Sequence, residues 1–212
     1  MTMIRLDIDS FIKTIPTNVT IVAATKYVGS EEMKELYNHS IKDFGENRTD
    51  SFLKKYQELK EYKDIKWHFI GHLQRNKAKE VINKIDYLHS LDSLELAKLI
   101  EKEREKPLPT FIEVSINLEE NKNGVPFYEM KDFLKEVLQY PKVKVVGLMM
   151  MAIKSSLDTD EQFKKLRELR DELEKEFNIT LSYLSMGMSE DYLSAIKEGA
   201  THIRLGRILY QN

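Results

Sequence analysis

At 212 residues the chain is long enough for one large domain or two small ones, and 42% hydrophobic against 32% charged residues suits a filled core under a solvated surface. Basic and acidic side chains number 33 and 35, a formal charge of −2 that gives no global pull toward nucleic acid or a membrane. The absence of cysteine excludes disulfides, a thiol nucleophile and thiolate metal sites. With no signal-peptide pattern at the start and no apolar run of bilayer length, the expectation is a cytoplasmic protein.

In chain order, Ile4, Leu6, Ile8, Phe11 and Ile12 predict an amphipathic helix over 3–14, closed by Pro16. Val19 to Thr25 is a run of β-branched and small residues, read as a buried strand ending on Lys26. Gly29 to Glu32 then forms a turn and N-cap into a helix reaching Asn38. The alternation repeats with strands at Ile41–Asn47, Trp67–Gly71 and Tyr87–Leu91, each followed by a helix: about 50–62, 74–85, and one capped by Asp92-Ser93 that runs to Glu105. Pro107 and Pro109 mark a loop before a fifth strand, Thr110–Asn117, and a polar loop to Gly124 precedes a helix over 127–138. Val143–Ala152 is the sixth strand and a charged helix spans 158–177. Thr180–Met186 is the seventh, stopped at Gly187; Ser189 offers an N-cap hydroxyl to a helix with Tyr192, Leu193, Ala195 and Ile196 on its apolar face and Gly199 at its end. Thr201–Leu205 is the eighth, ending on Gly206.

Strands alternating with helices argue for parallel strands and crossover connections. Eight of them, at roughly 26-residue intervals, predict a single (β/α)8 barrel of TIM type over residues 1–212. The N-terminal helix is expected to cover the gap after the last strand, since only five residues follow Arg207. The rival open sheet should carry a G-x-G-x-x-G fingerprint, and there is none.

In such a barrel the strand ends share one face, and that face carries the chemistry. Lys26, Asn47, His68, Ser185 and Arg204 all fall near strand ends. Lys26 closes an apolar run, which would leave it partly desolvated and its amine nucleophilic; equally, it is a lysine that reaches from a strand end to water. Arg204 would face either a ligand atom or a structural carboxylate such as Glu46 or Glu113. Ser185 and Gly206 would supply a hydroxyl and backbone donors to a phosphate held by the loops after strands seven and eight. His68 reads as a half-buried, satisfied histidine, and His39, His72, His89 and His202 show no metal-ligand spacing. Met149-Met150-Met151 is core packing with one side chain at the barrel mouth, and Arg75, Lys77, Lys79 and Lys84 form a solvated face.

Taken together, these stretches resemble one family closely. Ala23-Ala24-Thr25-Lys26, Phe44-Gly45-Glu46-Asn47, the run from Trp67 to Lys77, His89 to Ser93, Asn121 to Gly124, Gly147-Leu148-Met149, Leu184 to Ser189 and Ile203-Arg204-Leu205-Gly206 fall in its order and spacing. It is the pyridoxal 5′-phosphate homeostasis protein family, a stand-alone relative of the fold-type III alanine racemase N-terminal barrel. The resemblance implies that Lys26 holds the cofactor as an internal aldimine and that Arg204 faces the pyridine nitrogen. It places Ser185 and the backbone around Gly206 and Arg207 at the phosphate, with Asn47 and His68 beside the ring. It further implies a carrier or regulator of vitamin B6, a monomer without turnover of its own, with cofactor-requiring apoenzymes as acceptors and no nucleic-acid or membrane partner. The alternative is a cofactor-dependent amino-acid enzyme such as a racemase, in which an additional β-rich domain supplies the second base; here the sequence stops within a few residues of the eighth strand. Arg48 after Asn47, Arg207 after Gly206 and the ending Tyr210-Gln211-Asn212 depart from the usual pattern.

Overall fold

The computed structural model describes residues 2–116, 123–153 and 158–211. Its strands are β1 (Thr20–Ala24), β2 (Asp43–Glu46), β3 (Lys66–Phe69), β4 (Tyr87–Leu91), β5 (Leu108–Ser115), β6 (Val125–Pro126), β7 (Val143–Met149), β8 (Tyr183–Met188) and β9 (His202–Leu205). Its helices are α1 (Ile8–Thr14), α2 (Ser30–Asn38), α3 (Thr49–Glu58), α4 (Arg75–Val81), α5 (Leu94–Glu103), α6 (Met130–Val137), α7 (Thr159–Phe177) and α8 (Tyr192–Lys197). The named strands pair in parallel in the order β4-β3-β2-β1-β9-β8-β7-β5. β4 also pairs with β5, Leu88 opposite Thr110 and Leu91 opposite Ile112, and this closes a ring of eight. The two-residue β6 attaches to β5 outside that ring. The architecture is the expected eight-stranded parallel barrel with helices around it. No helix among the described residues is long and apolar enough to cross a membrane.

Several boundaries differ from the sequence reading for identifiable reasons. Helix α1 starts at Ile8 rather than residue 3 because the preceding backbone is engaged elsewhere: Arg5 N–H donates to Leu209 O, Gln211 N–H donates to Met3 O, and Ile4 bridges Tyr210. The N-terminal segment and α1, with Phe11 edge-on to Tyr192, therefore lie along the final turn and α8, where cover was expected. Strand β2 starts at Asp43 because the Ile41 N–H closes the end of α2 on Leu36 O. Strand β5 starts early, at Leu108, and takes in Pro109 beside a register irregularity at Thr110–Phe111. Helix α8 begins after Asp191, whose carboxylate accepts from Met188 N–H; Ser189 is not its cap. Ser93 does cap α5, and Gly199 ends α8 at φ +90°, the left-handed region. The expected strand end at Asn117 and most of the polar loop to Gly124 lie outside the described residues.

Between barrel and helices runs an apolar layer in which Phe52 of α3 packs on Trp67 and Phe69 of β3, ring centroids 5.4 and 6.5 Å apart. One charged pair interrupts it. Glu46 at the end of β2 is fully buried and accepts from Lys55 of α3 and from the Thr25 hydroxyl, while Lys55 Nζ also donates to the Thr25 carbonyl at 2.6 Å. Breaking a buried pair by removing one partner leaves an uncompensated charge. Lys55→Ala is therefore expected to cost about 3–5 kcal/mol. The double substitution Lys55→Met/Glu46→Leu should recover most of that loss. Urea unfolding followed by the fluorescence of Trp67 checks both.

Candidate functional site

The C-terminal ends of β1, β2, β8 and β9 are neighbours, because β1 pairs with β2 on one side and β9 on the other. Lys26 lies in the turn just past β1. The residue before it is held on three sides: Thr25 N–H donates to Gly45 O at 3.0 Å, its carbonyl accepts from Lys55, and its hydroxyl meets Glu46. Lys26 itself is exposed, with Nζ 4.5 Å from the centre of the Tyr27 ring. The expected partial desolvation is thus corrected. The apolar run packs its own residues, but Lys26 stands one step beyond, on a fixed base with a free amine.

Across from it, Asn47 is half-buried, and its side-chain oxygen is buried with no hydrogen-bond partner among the described residues. The Gly71 backbone presses against it so closely that a Cβ at 71 would lie 2.4 Å from the Asn47 carbonyl oxygen. An unpaired buried side-chain amide oxygen is a place for a ligand donor. His68, by contrast, is level with Gly45, two residues below Asn47. It is wholly buried inside the barrel rather than beside a mouth-bound ring. There it meets His89 and His202, ring centroids 5.1 and 6.2 Å away. Sequence spacing does not link these three histidines; only the closed barrel brings β3, β4 and β9 together.

Arg204 of β9 is 4% exposed and donates through Nη1 to Ser185 Oγ at 2.6 Å and through Nη2 to Met150 O at 2.9 Å. Burial pushes it down to about 10, against the pull of Glu113 and Asp191, so it stays charged near neutrality. Neither Glu46, on the outer face, nor Glu113 forms an ion pair with it among the described residues. Ser185 is fully buried, its hydroxyl committed to Arg204 and to His89 at 2.8 Å. Its expected role as a phosphate hydroxyl is therefore corrected.

A second serine lies against the turn after β9. Ser189, in the loop after β8, accepts from the N–H groups of Gly206 and Ile208 at 3.3 and 3.4 Å. These are long bonds from the first turn after β9, and a stronger acceptor would displace a neutral hydroxyl from them. Gly206 adjoins β1, its added Cβ falling 3.6 Å from Ala24 O, so this pair of donors lies two residues from the level of Lys26. The Arg207 side chain stays exposed at the rim, paired with Glu190. Ser189 escaped the sequence reading because a Ser-Glu-Asp run reads first as a helix cap. Met149 and Met150 are buried and Met151 is exposed, as expected. Lys77 and Lys79 face Asp50 and Glu103 at the surface.

Glu113 was missed except as a possible partner for Arg204. It lies near the end of β5, is 5% exposed, and is pushed from its ordinary 4.5 up to about 7 by burial first and by Asp92 second, with Arg204 and His72 opposing. The signal available was alternation: Phe111 and Glu113 share one face of β5, and Phe111 stacks on His89 inside the barrel.

Comparison with known proteins places this arrangement. The family model for the alanine racemase N-terminal domain matches residues 7–212. The pyridoxal phosphate homeostasis protein of Aquifex aeolicus is 45% identical over 195 residues, covering 90% of this chain and 85% of that one. Its counterpart in Synechocystis is 37% identical, covering 94% of each. Among solved structures, PipY of Synechococcus elongatus with PLP bound superposes with a TM-score of 0.88 at 30% identity, over 95% of this chain and 97% of that one. The chain belongs to the alanine racemase N-terminal-domain family and, within it, to the pyridoxal phosphate homeostasis proteins.

The state of Glu113 is testable through stability. An acid whose pKa is higher folded than unfolded binds more protons in the folded state, so stability is full below about 4.5 and falls as pH rises toward about 7. Glu113→Gln removes that dependence and is expected to raise stability at pH 8 by up to about 3 kcal/mol while changing little at pH 4. Urea midpoints of both proteins between pH 4 and 8 measure the difference.

Proposed function

We propose that this protein binds pyridoxal 5′-phosphate at the barrel mouth and holds it in reserve for other proteins, without a turnover of its own. Lys26 would hold the cofactor covalently through Nζ. Arg204 would face the pyridine nitrogen and Asn47 would lie beside the ring. The Gly206 and Ile208 N–H groups, with Ser189, would take the phosphate, and Arg207 would add positive charge at the rim. The observation that carries this reading is a pair of weakly engaged backbone donors close to an exposed primary amine, with a buried guanidinium that among the described residues makes no ion pair. The bound cofactor in PipY and the names of the relatives support it.

When bound, the cofactor supplies an aldehyde carbon open to amines and an electron-withdrawing ring. Lys26 contributes the primary amine that such a carbon takes up. Arg204 can only donate, so a ring nitrogen opposite it is held as an acceptor without a proton of its own, which weakens the ring as an electron sink. The exposure of Lys26 keeps the link within reach of water and of a competing amine, which suits release. The interior His89 is engaged with Ser185 and His68, and burial holds it well below its ordinary value, which does not suit it as a second base.

Borohydride reduction of the cofactor-loaded protein followed by peptide mapping should find the adduct on Lys26, and Lys26→Ala should lose the covalent form while keeping weaker binding. An adduct on another lysine would sink the assignment. Incubation of the loaded protein with L-alanine in deuterated water should show no sustained formation of the D-enantiomer; many turnovers would overturn the carrier reading in favour of a racemase.

A further inference from the structure

We propose that Asp43, His68, His89 and Ser185 form a one-directional hydrogen-bond chain through the barrel interior, and that this chain aims Arg204. The distances run unbroken: Arg204 Nη1 to Ser185 Oγ 2.6 Å, Ser185 Oγ to His89 Nδ1 2.8 Å, His89 Nε2 to His68 Nδ1 2.8 Å, His68 Nε2 to Asp43 Oδ1 2.9 Å. The first residue is a guanidinium, which only donates, and the last is the carboxylate of Asp43, taken as the acceptor that ends the chain. Those two ends fix every link between them. Ser185 accepts from Arg204 and passes its own hydrogen to His89 Nδ1. His89 then carries its proton on Nε2 and donates it to His68 Nδ1. His68 likewise carries its proton on Nε2 and donates to Asp43. Each link has one hydrogen and none is left over.

The reverse order fails at Ser185. With a proton on His89 Nδ1, the serine oxygen would receive two donors and its own hydrogen would have no acceptor along the chain. A neutral His89 also agrees with its surroundings, since burial and the neighbouring His68, His202 and Arg204 hold it well below its usual value. In the forward order every dipole turns its negative end toward Arg204 and its positive end toward Asp43, so the terminal charges align the chain. The rings cannot swing out of it. His89 stacks on Phe111 at 4.3 Å and His68 on Tyr87 at 4.7 Å, nearly parallel. Arg204, gripped at Nη1 by this chain and at Nη2 by the Met150 carbonyl, keeps further N–H donors for a ligand and loses the rotamer freedom of a long side chain before anything binds. His68 and Ser185, expected to touch the cofactor, are thereby positioning residues, joined by His89 and Asp43.

The chain stands without the proposed function; its effect on a ligand rests on that reading, and two measurements separate them. Long-range proton–nitrogen correlation spectra of the cofactor-free protein should show both His68 and His89 protonated at Nε2 and bare at Nδ1. A proton on His89 Nδ1 would overturn the chain. The second measurement uses pyridoxal 5′-phosphate as the probe, on His89→Leu and His89→Gln. Leucine leaves the Ser185 hydroxyl hydrogen without its acceptor and His68 Nδ1 without its donor, and should weaken binding on the order of tenfold and shift the bound absorption maximum. Glutamine offers one acceptor and one donor and should restore most of both. Wild-type affinity and spectrum in a folded His89→Leu would refute the aiming of Arg204. If the wild-type protein binds no cofactor, the proposed function fails, and the imidazole spectra still decide the chain.

Discussion

Closure of the sheet is the constraint on which the rest depends. Once β4 pairs with β5, every strand has one set of side chains turned to a shared interior and the alternate set turned to the helices. Thr25 and Glu46 belong to the outer set, which is why their side chains meet Lys55 of α3. His68, His89, Ser185 and Arg204 belong to the inner set, which is why residues from β3, β4, β8 and β9 bond to one another across the barrel. A slip of one residue in any of these strands would exchange its two sets and break the network to which it contributes.

Each network solves the same problem, a charge taken out of water, in a different way. Glu46 and Lys55 are in direct contact, and both hold Thr25, Lys55 through its carbonyl and Glu46 through its hydroxyl. Arg204 is buried and reaches the half-buried Asp43 through two imidazoles and a hydroxyl, each oriented by the next, while the Met150 carbonyl takes its other nitrogen. The first network fixes the base from which Lys26 projects. The second fixes Arg204. The two groups most directly concerned with the mouth are thus held from opposite faces of the sheet.

The barrel was legible in the sequence because its signal is repetitive: short β-branched runs, capped helices, eight times over. The site was legible in part. Lys26, Asn47, Arg204 and Gly206 stand at strand ends, and strand ends can be found from the runs that precede them. What depended on depth within the barrel was not legible. His68 and Ser185 are also near strand ends, yet His68 is level with Gly45, two residues before Asn47, and β8 continues three residues beyond Ser185 to Met188. His89 and Asp43 were invisible as partners, since the contacts that define them join residues 96 and 25 positions apart. Ser189 was hidden by a stronger local signal, the helix-cap pattern, although Asp191 takes the N-cap position and its carboxylate turns back to Met188 N–H.

Lys26 and Arg204 differ in the one property that decides how firmly each can act. Arg204 is buried, bonded at two nitrogens and charged, so its position is paid for in folding and is available without rearrangement. Lys26 is exposed, and only its backbone is fixed. A group that must be approached by water or by another protein's amine has to lie open, while a group that orients a ring has to be rigid. A site built for repeated proton transfer would need the converse near the lysine: an enclosed amine with a second titrating group set against it. Glu113, the buried acid near neutrality in this barrel, has Arg204, Asp92 and His72 as its charged neighbours, and Lys26 is not among them. The division between a rigid floor and an open lysine therefore fits holding and release better than catalysis.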